Sequence, residues 1–314
     1  MSESRLARMR RSLDGLSVGD ALGETFFFGS VQELLARIVG RETPPGPWQW
    51  TDDTQMALSI CEILERRGRM DPDHLAQAFA RRYDPLRGYG GGAAVLLAEL
   101  RSGGDWRELA PAMFDGGGSF GNGSAMRVAP LGAFFADDLD ACVENAALSS
   151  RPTHAHSEGE AGAVAVAVAA ALAWRAGEGD RPAPGAFLAE IAGRVPAGAV
   201  REGLERAADI PFDPDPAPLA AGGGTHDLAA ARAAEILGNG SRVSCQDTVP
   251  FALWCAARHL DDYAAALWDT LLGFGDRDTT CAIAGGVVAL SARERGVPPA
   301  WLAAREPLPG GGGA

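Results

Sequence analysis

Apolar positions along this 314-residue chain recur at spacings of three and four, the period that turns one face of a helix toward a core. Over residues 5–22, Leu6, Met9, Leu13, Leu16 and Val18 fall to one side; over 55–67, Met56, Ile60, Ile63 and Leu64 do the same. The period predicts further helices over 93–100, 106–113, 139–148, 159–174, 186–191, 197–208, 226–237, 249–260, 263–272 and 279–293. Asp71-Pro72-Asp73 opens another, with a capping carboxylate and a proline in the first turn. No alternating β-branched run is long enough to found a sheet. The pattern predicts one all-α domain over residues 1–306, then a disordered low-complexity tail, 307–314.

Composition narrows the classes. A net charge of −13 and a pI near 4.8 argue against a broad nucleic-acid surface and against an anionic membrane. The five cysteines are odd in number and form no C-x-x-C pair, so neither a disulfide frame nor a zinc site is expected. The basic N-terminus lacks the apolar core of a signal peptide. The longest apolar run, 161–174, is shorter than a bilayer span and predicts a buried helix. The expectation is a cytoplasmic protein. Two loops stand out: 42–50, rich in Pro and Trp, and 210–225, rich in Pro, Asp and Gly and expected to be solvated.

Polar interruptions of the apolar pattern concentrate the chemistry. Thr51-Asp52-Asp53-Thr54 and Asp276-Arg277-Asp278-Thr279 each place two carboxylates beside a Thr hydroxyl at the start of a helical segment. Either alone reads most simply as a helix cap with acids that complement the dipole. Brought together they would be a hard-oxygen set suited to Mg²⁺ or Mn²⁺. Gly19-Asp20-Ala21-Leu22-Gly23 reads alone as a glycine cap closing the first helix. Gly121-Asn122-Gly123-Ser124-Ala125-Met126-Arg127 precedes an apolar helix and can cradle phosphate on backbone N–H groups. Arg127 is open to two roles, a phosphate contact or a pair with a buried carboxylate. At Thr153-His154-Ala155-His156-Ser157, either Thr153 or Ser157 caps the next helix, or His154 faces a ribose or base. No third nitrogen or sulfur ligand completes a zinc site.

In this order, GDALG (19–23), TDDT (51–54), GNGSAMR (121–127), TH (153–154) and GDRDTT (275–280) resemble the motifs of the ADP-ribosylglycohydrolase family, which includes the dinitrogenase reductase-activating glycohydrolases. The resemblance implies an all-α orthogonal bundle around a central metal-lined cleft, with two divalent cations, Mg²⁺ or Mn²⁺. It implies metal ligands at Thr51, Asp52, Asp53, Asp276, Asp278 and Thr279, and an acid–base group among Asp52, Asp53 and Glu24. It implies substrate contacts at Asp20, Phe120, Gly121, Asn122, Gly123, Ser124, Met126 and His154; Arg277, beside the metals, is a further candidate, open to contacting the substrate's phosphates or leaving group or to pointing outward. The implied activity is metal-dependent hydrolysis of the glycosidic bond between ADP-ribose and an acceptor, a protein side chain or a small conjugate, releasing ADP-ribose.

The chain departs from the family pattern at two positions. Phe27 stands where many members carry a Glu at the metal site, leaving Glu24 as the nearest carboxylate, and Arg277 replaces the usual small residue between the last two Asp. Two other readings accompany the first. A metal-dependent phosphoester or pyrophosphate hydrolase would release AMP and ribose phosphate; a non-catalytic, crystallin-like ADP-ribose-binding protein would bind without turnover.

Overall fold

Two helices from opposite ends of the chain meet backbone to backbone. In the computed structural model, which describes residues 3–218 and 225–309, α1 (Arg5–Glu24) packs along α15 (Arg277–Val288). Gly15, Gly19 and Gly23 lie four apart and so share one face of α1. A Cβ on them would stand 2.4, 2.1 and 2.3 Å from the carbonyl oxygens of Gly285, Cys281 and Arg277. Only glycine admits that approach. The partners descend in number as α1 ascends, so the helices are antiparallel and the end of α1 lies against the start of α15. Gly19 and Asp20 therefore sit inside α1, which runs on to Glu24, and do not cap it.

With this pair, the other fourteen α-helices among the described residues share one continuous apolar core. α3 (Asp52–Arg67) and α7 (Ala129–Phe134) flank α1, while α9 (Ser157–Glu178) packs against α7, α8 (Leu139–Ser150) and α13 (Cys245–Arg258). Every residue of α9 from Ala163 to Ala171 is buried, as befits a helix apolar all round. Its alanines let α7 come so near that a Cβ on Gly132 would meet the Ala167 carbonyl oxygen at 2.0 Å. At 22 residues α9 outruns the apolar stretch seen in the sequence. By length and composition it could cross a membrane, yet 89% of its most apolar window is buried inside the protein. α4 (Pro72–Arg82) and α5 (Gly91–Arg101) build outward from α3, and α6 (Trp106–Gly116) covers α5. α10 (Pro184–Ala192), α11 (Ala199–Asp209), α12 (Ala229–Leu237) and α14 (Tyr263–Leu272) pack on α13. All five cysteines are free and buried.

The structure corrects several details. The Ala-rich α9 is capped by His156, whose Nδ1 accepts from the Glu158 N–H, and not by Thr153 or Ser157. α12 begins at Ala229 because Thr225–Asp227 (β2) pairs antiparallel with Pro216–Pro218 (β1), a small hairpin the pattern did not announce. Two helices were not expected, α2 (Val31–Val39) and α16 (Pro299–Ala304). The first had a legible signal, since Ser30 and Glu33 form a capping box. The Trp-rich loop is clasped by the C-terminal segment. The Trp48 N–H donates to Ala304 O, the Glu306 N–H donates to Trp48 O, and Arg87 forks onto both Glu306 oxygens at 2.7 and 2.9 Å. Of the two stretches expected to be solvated or disordered, residues 219–224 and 310–314 lie outside the described residues.

Candidate active site

The last turn of α1, the first turns of α3 and α15 and the loop 120–126 converge on one cavity. Asp20 is the joint. Fully buried, its carboxylate accepts hydrogen bonds from the Thr51 N–H (3.0 Å), the Thr51 hydroxyl (2.8 Å), the Thr54 N–H (3.1 Å) and the Thr54 hydroxyl. It caps α3 from another helix, satisfying amides that a helix start leaves open. Asp20 was expected among the substrate contacts; it stands instead behind the cavity wall, and the Thr51 hydroxyl, tied to it, also lies outside the lining.

Held this way, Asp52 and Asp53 face Asp276 and Asp278, and all four line a cavity of about 550 Å³ together with Thr279. That volume is in the range of small-molecule sites. Burial, then the charge of Asp20, pushes the Asp52 carboxyl up to about 8. Burial and Asp278 hold Asp53 well above the usual carboxylate range, and burial and Asp276 do the same for Asp278. Asp53 Oδ2 is buried with no hydrogen-bond partner among the described residues. Like charge at this density calls for protons or cations. The donors are hard oxygens, the set Mg²⁺ and Mn²⁺ prefer, and the free Asp53 oxygen has lone pairs to offer. Among the described residues no three acidic, His or Cys side chains close into a ready metal shell. The fit lies in donor chemistry, not in a preformed cage.

The glycine-rich loop forms the adjoining wall. Asn122 Nδ2 donates to Asp276 Oδ2 (2.7 Å) and to the Thr248 hydroxyl (3.1 Å), tying the loop to α15 and α13. His154 packs over the loop: a Cβ on Gly123 would meet its Cε1 at 3.1 Å, and one on Gly121 its Nε2 at 3.4 Å. Burial, then Arg127, holds the His154 imidazole well below its ordinary pKa, so it is neutral. Phe120, Gly121, Asn122, Gly123, Met126 and His154 all line the cavity. Ser124 does not; fully buried, it donates to Gly159 O. Arg127 donates to Ser149 O and the Thr153 hydroxyl and rests on the Phe79 ring, so the carboxylate partner open to it in the sequence is not taken.

Glu24 and Arg277 lie outside the lining. Glu24 has its carboxyl raised by burial and by Asp20 and Asp276. The Arg277 guanidinium is lowered by burial and stacks on the Phe27 and Phe274 rings.

A third wall escaped the sequence. It comprises Gly88, Gly90 and the first residues of α5, Gly91, Gly92 and Leu96, with Met113 and Phe114, and Arg242 and Val243 complete the lining. The glycine run was a readable signal. The backbone was not: Phe114 and Val243 both have φ of +52°, a left-handed conformation rare for any side chain and most strained for a β-branched one.

Comparison with known proteins decides what these walls belong to. Residues 1–311 match the family described as ADP-ribosylglycohydrolase. The chain belongs to the ADP-ribosylglycohydrolase family. Its enzyme class is accordingly that of a glycohydrolase. The human ADP-ribosylhydrolase ARH3 is 30% identical over 334 residues, an alignment covering 94% of this chain and 88% of that protein. The Gallus gallus ADP-ribosylhydrolase ARH3 is 36% identical over 168 residues, covering 48% of this chain and 46% of that one. A solved "ADP-ribosylglycohydrolase-related protein complex" superposes with a TM-score of 0.64 at 25% identity, across 96% of this chain and 93% of the other. The helical bundle is thus the ADP-ribosylglycohydrolase fold.

Proposed function

We propose that this glycohydrolase cleaves the glycosidic bond between ADP-ribose and an acceptor, on a protein side chain or a small conjugate, with two Mg²⁺ or Mn²⁺ ions held at the carboxylate cluster. The observation that carries the reading is the convergence of Asp52, Asp53, Asp276 and Asp278 on one cavity, with no hydrogen-bond partner for Asp53 Oδ2 among the described residues. Those four and Thr279 would hold the ions, with Thr51 behind them fixing the start of α3. Bound there, the ions would supply fixed positive charge and Lewis acidity toward sugar hydroxyls and water.

The chain's own groups do the rest. The loop Gly121–Met126 offers backbone N–H groups to a diphosphate, and neutral His154 packs against it without adding charge. Phe114 and Phe120, exposed aromatic rings at the cavity, give a nucleobase faces to stack on. Water adds its oxygen to the anomeric carbon, and the acceptor departs with the bonding electron pair. A carboxylate among Asp52, Asp53 and Glu24 takes the water's proton and passes it on. Positive charge growing on the ribose ring is met by the surrounding carboxylates.

The test incubates the full chain, with Mg²⁺ or Mn²⁺ and with EDTA, against a panel of ADP-ribosylated substrates, with products weighed by mass spectrometry. Metal-dependent release of intact ADP-ribose is expected, and D278N should lower it by about 10²-fold or more. AMP as the product would point to pyrophosphate cleavage instead; binding without any turnover would point to a receptor.

A further inference from the structure

A second cavity, of about 570 Å³, opens between α3 and α4, walled by Arg66, Arg67, Arg69, His74, Gln77 and Arg81 over the buried Ile63. Residues 68–71 alone join the two helices, so they run antiparallel and their C-terminal ends lie apart. Spacings of three and four put Ile63, Arg66 and Arg67 on one face of α3 and His74, Gln77 and Arg81 on one face of α4. This cavity shares no residue with the carboxylate cavity. Asp52 and Arg66 stand at opposite ends of α3, roughly 21 Å apart at a rise of about 1.5 Å per residue.

The helix dipole accounts for the sign of these side chains one helix at a time, since Arg66 and Arg67 end α3 and Arg81 and Arg82 end α4. It does not account for their meeting. Arg66 Nη1 lies 3.0 Å from Glu62 Oε1, Arg81 donates to the same oxygen at 3.0 Å, and Arg82 donates to Glu62 Oε2 at 2.7 Å. Arg67 Nη1 lies 3.4 Å from Asp71 Oδ2. Arg69 is exposed and has no ion-pair partner among the described residues. Five guanidinium groups thus share two carboxylates. The four that pair do so through one nitrogen each, and the Arg66 and Arg81 side chains remain 70% and 55% exposed.

Like charges gathered this closely repel, and an anion seated among them offsets that repulsion. The chain as a whole carries −13, so an anion is repelled by most of the surface and drawn to this cavity. A guanidinium fork matches phosphate oxygens two at a time, and clustered forks suit an anion of more than one charge better than a lone carboxylate. We infer that the cavity between α3 and α4 binds a phosphate-bearing ligand of two or more negative charges, the polyphosphate of a nucleotide or a phosphorylated side chain. The site is separate from the glycohydrolase cavity and does not depend on the reading given to it.

The experiment follows labelled pyrophosphate by equilibrium dialysis against the full chain, stripped of metal and kept in metal-free buffer without a polycarboxylate chelator. Wild type should bind with a Kd below about 1 mM, and the double variant R69A/R81A should bind about tenfold more weakly or worse, the scale of one charge-assisted hydrogen bond. Both side chains are exposed, so the variant should keep the wild-type urea midpoint and the wild-type turnover of ADP-ribosylated substrates. D278N, altered in the carboxylate cavity, should bind pyrophosphate as wild type does. Competition by ATP and by a phosphoserine peptide tells the two sources apart, the stronger competitor naming the ligand. No binding by wild type, binding undiminished in R69A/R81A, or binding lost in D278N but kept in R69A/R81A overturns the inference. Turnover of ADP-ribosylated substrates by wild type is scored separately, so either reading can fail while the other stands.

Discussion

Replacing Gly19 by alanine tests whether the approach of α1 to α15 builds the site. The new Cβ would lie 2.1 Å from the Cys281 carbonyl oxygen and 2.7 Å from its carbon, both backbone atoms of a buried helix. No rotamer relieves that contact, so the helices must part by roughly 1 Å, with core overpacking costing about 1–3 kcal/mol. Alanine returns about 1 kcal/mol of helix propensity. The net expectation is a loss of up to about 2 kcal/mol, read as a lower urea midpoint at unchanged slope. Turnover should suffer more than stability does. Asp20 is the next residue, and parting the helices draws it from Thr51 and Thr54 and shifts Asp52 and Asp53 against Asp276 and Asp278. A misplacement of that size costs on the order of 10²-fold in rate. The control is G91A at the start of α5, where an added Cβ meets nothing within 4 Å and stability should hold or rise. G19A as stable and as active as wild type would refute the argument that the glycine face sets the site.

Other perturbations follow from the same geometry. In EDTA, the raised carboxyls of Asp52, Asp53 and Asp278 bind protons in the fold that the unfolded chain releases. Their contribution is fully present below the ordinary carboxylate pKa and is lost as pH rises through about 8, the value at Asp52, so thermal melts should show Tm falling from pH 6 to pH 9. Mn²⁺ at a hundredfold over its Kd should add about 2.7 kcal/mol and flatten that slope; a Tm indifferent to both pH and Mn²⁺ would count against the cluster as a metal site. D20A strands the buried donors of Thr51 and Thr54 and should cost about 3 kcal/mol in urea unfolding, with the Mn²⁺-induced Tm rise lost as well. A D20A protein within about 0.5 kcal/mol of wild type would mean that Asp20 does not hold α3.

Much of the bundle was legible because helical period survives without knowledge of partners. The apolar spacing in 5–22 and 55–67 marked α1 and α3, and the acidic clusters stood where helix starts were expected. What periodicity cannot carry is identity of partner. Gly19 looked like a cap because a glycine costs a lone helix about 1 kcal/mol; only the backbone of α15 explains why three of them sit inside α1. Asp20 looked like a ligand contact because its bonds to Thr51 and Thr54 span more than thirty positions. The wall bearing Phe114 and Val243 depends on left-handed backbone that side-chain type disfavours, so propensity pointed away from it. Arg277 was visible as an oddity of the motif, but the seat of its guanidinium on the Phe27 and Phe274 rings is a property of space alone.

The meeting of α1 with α15 also dictates when the protein can come into being. Ser12 donates to the Gly286 carbonyl across 274 positions of chain, and Tyr263 to that of Gly15 across 248. During synthesis the first helix leaves the ribosome with its glycine face bare and stays so until nearly all of the chain has followed. The acidic pocket is assembled last, and a truncation before α15 leaves the pocket without its second pair of acids, Asp276 and Asp278.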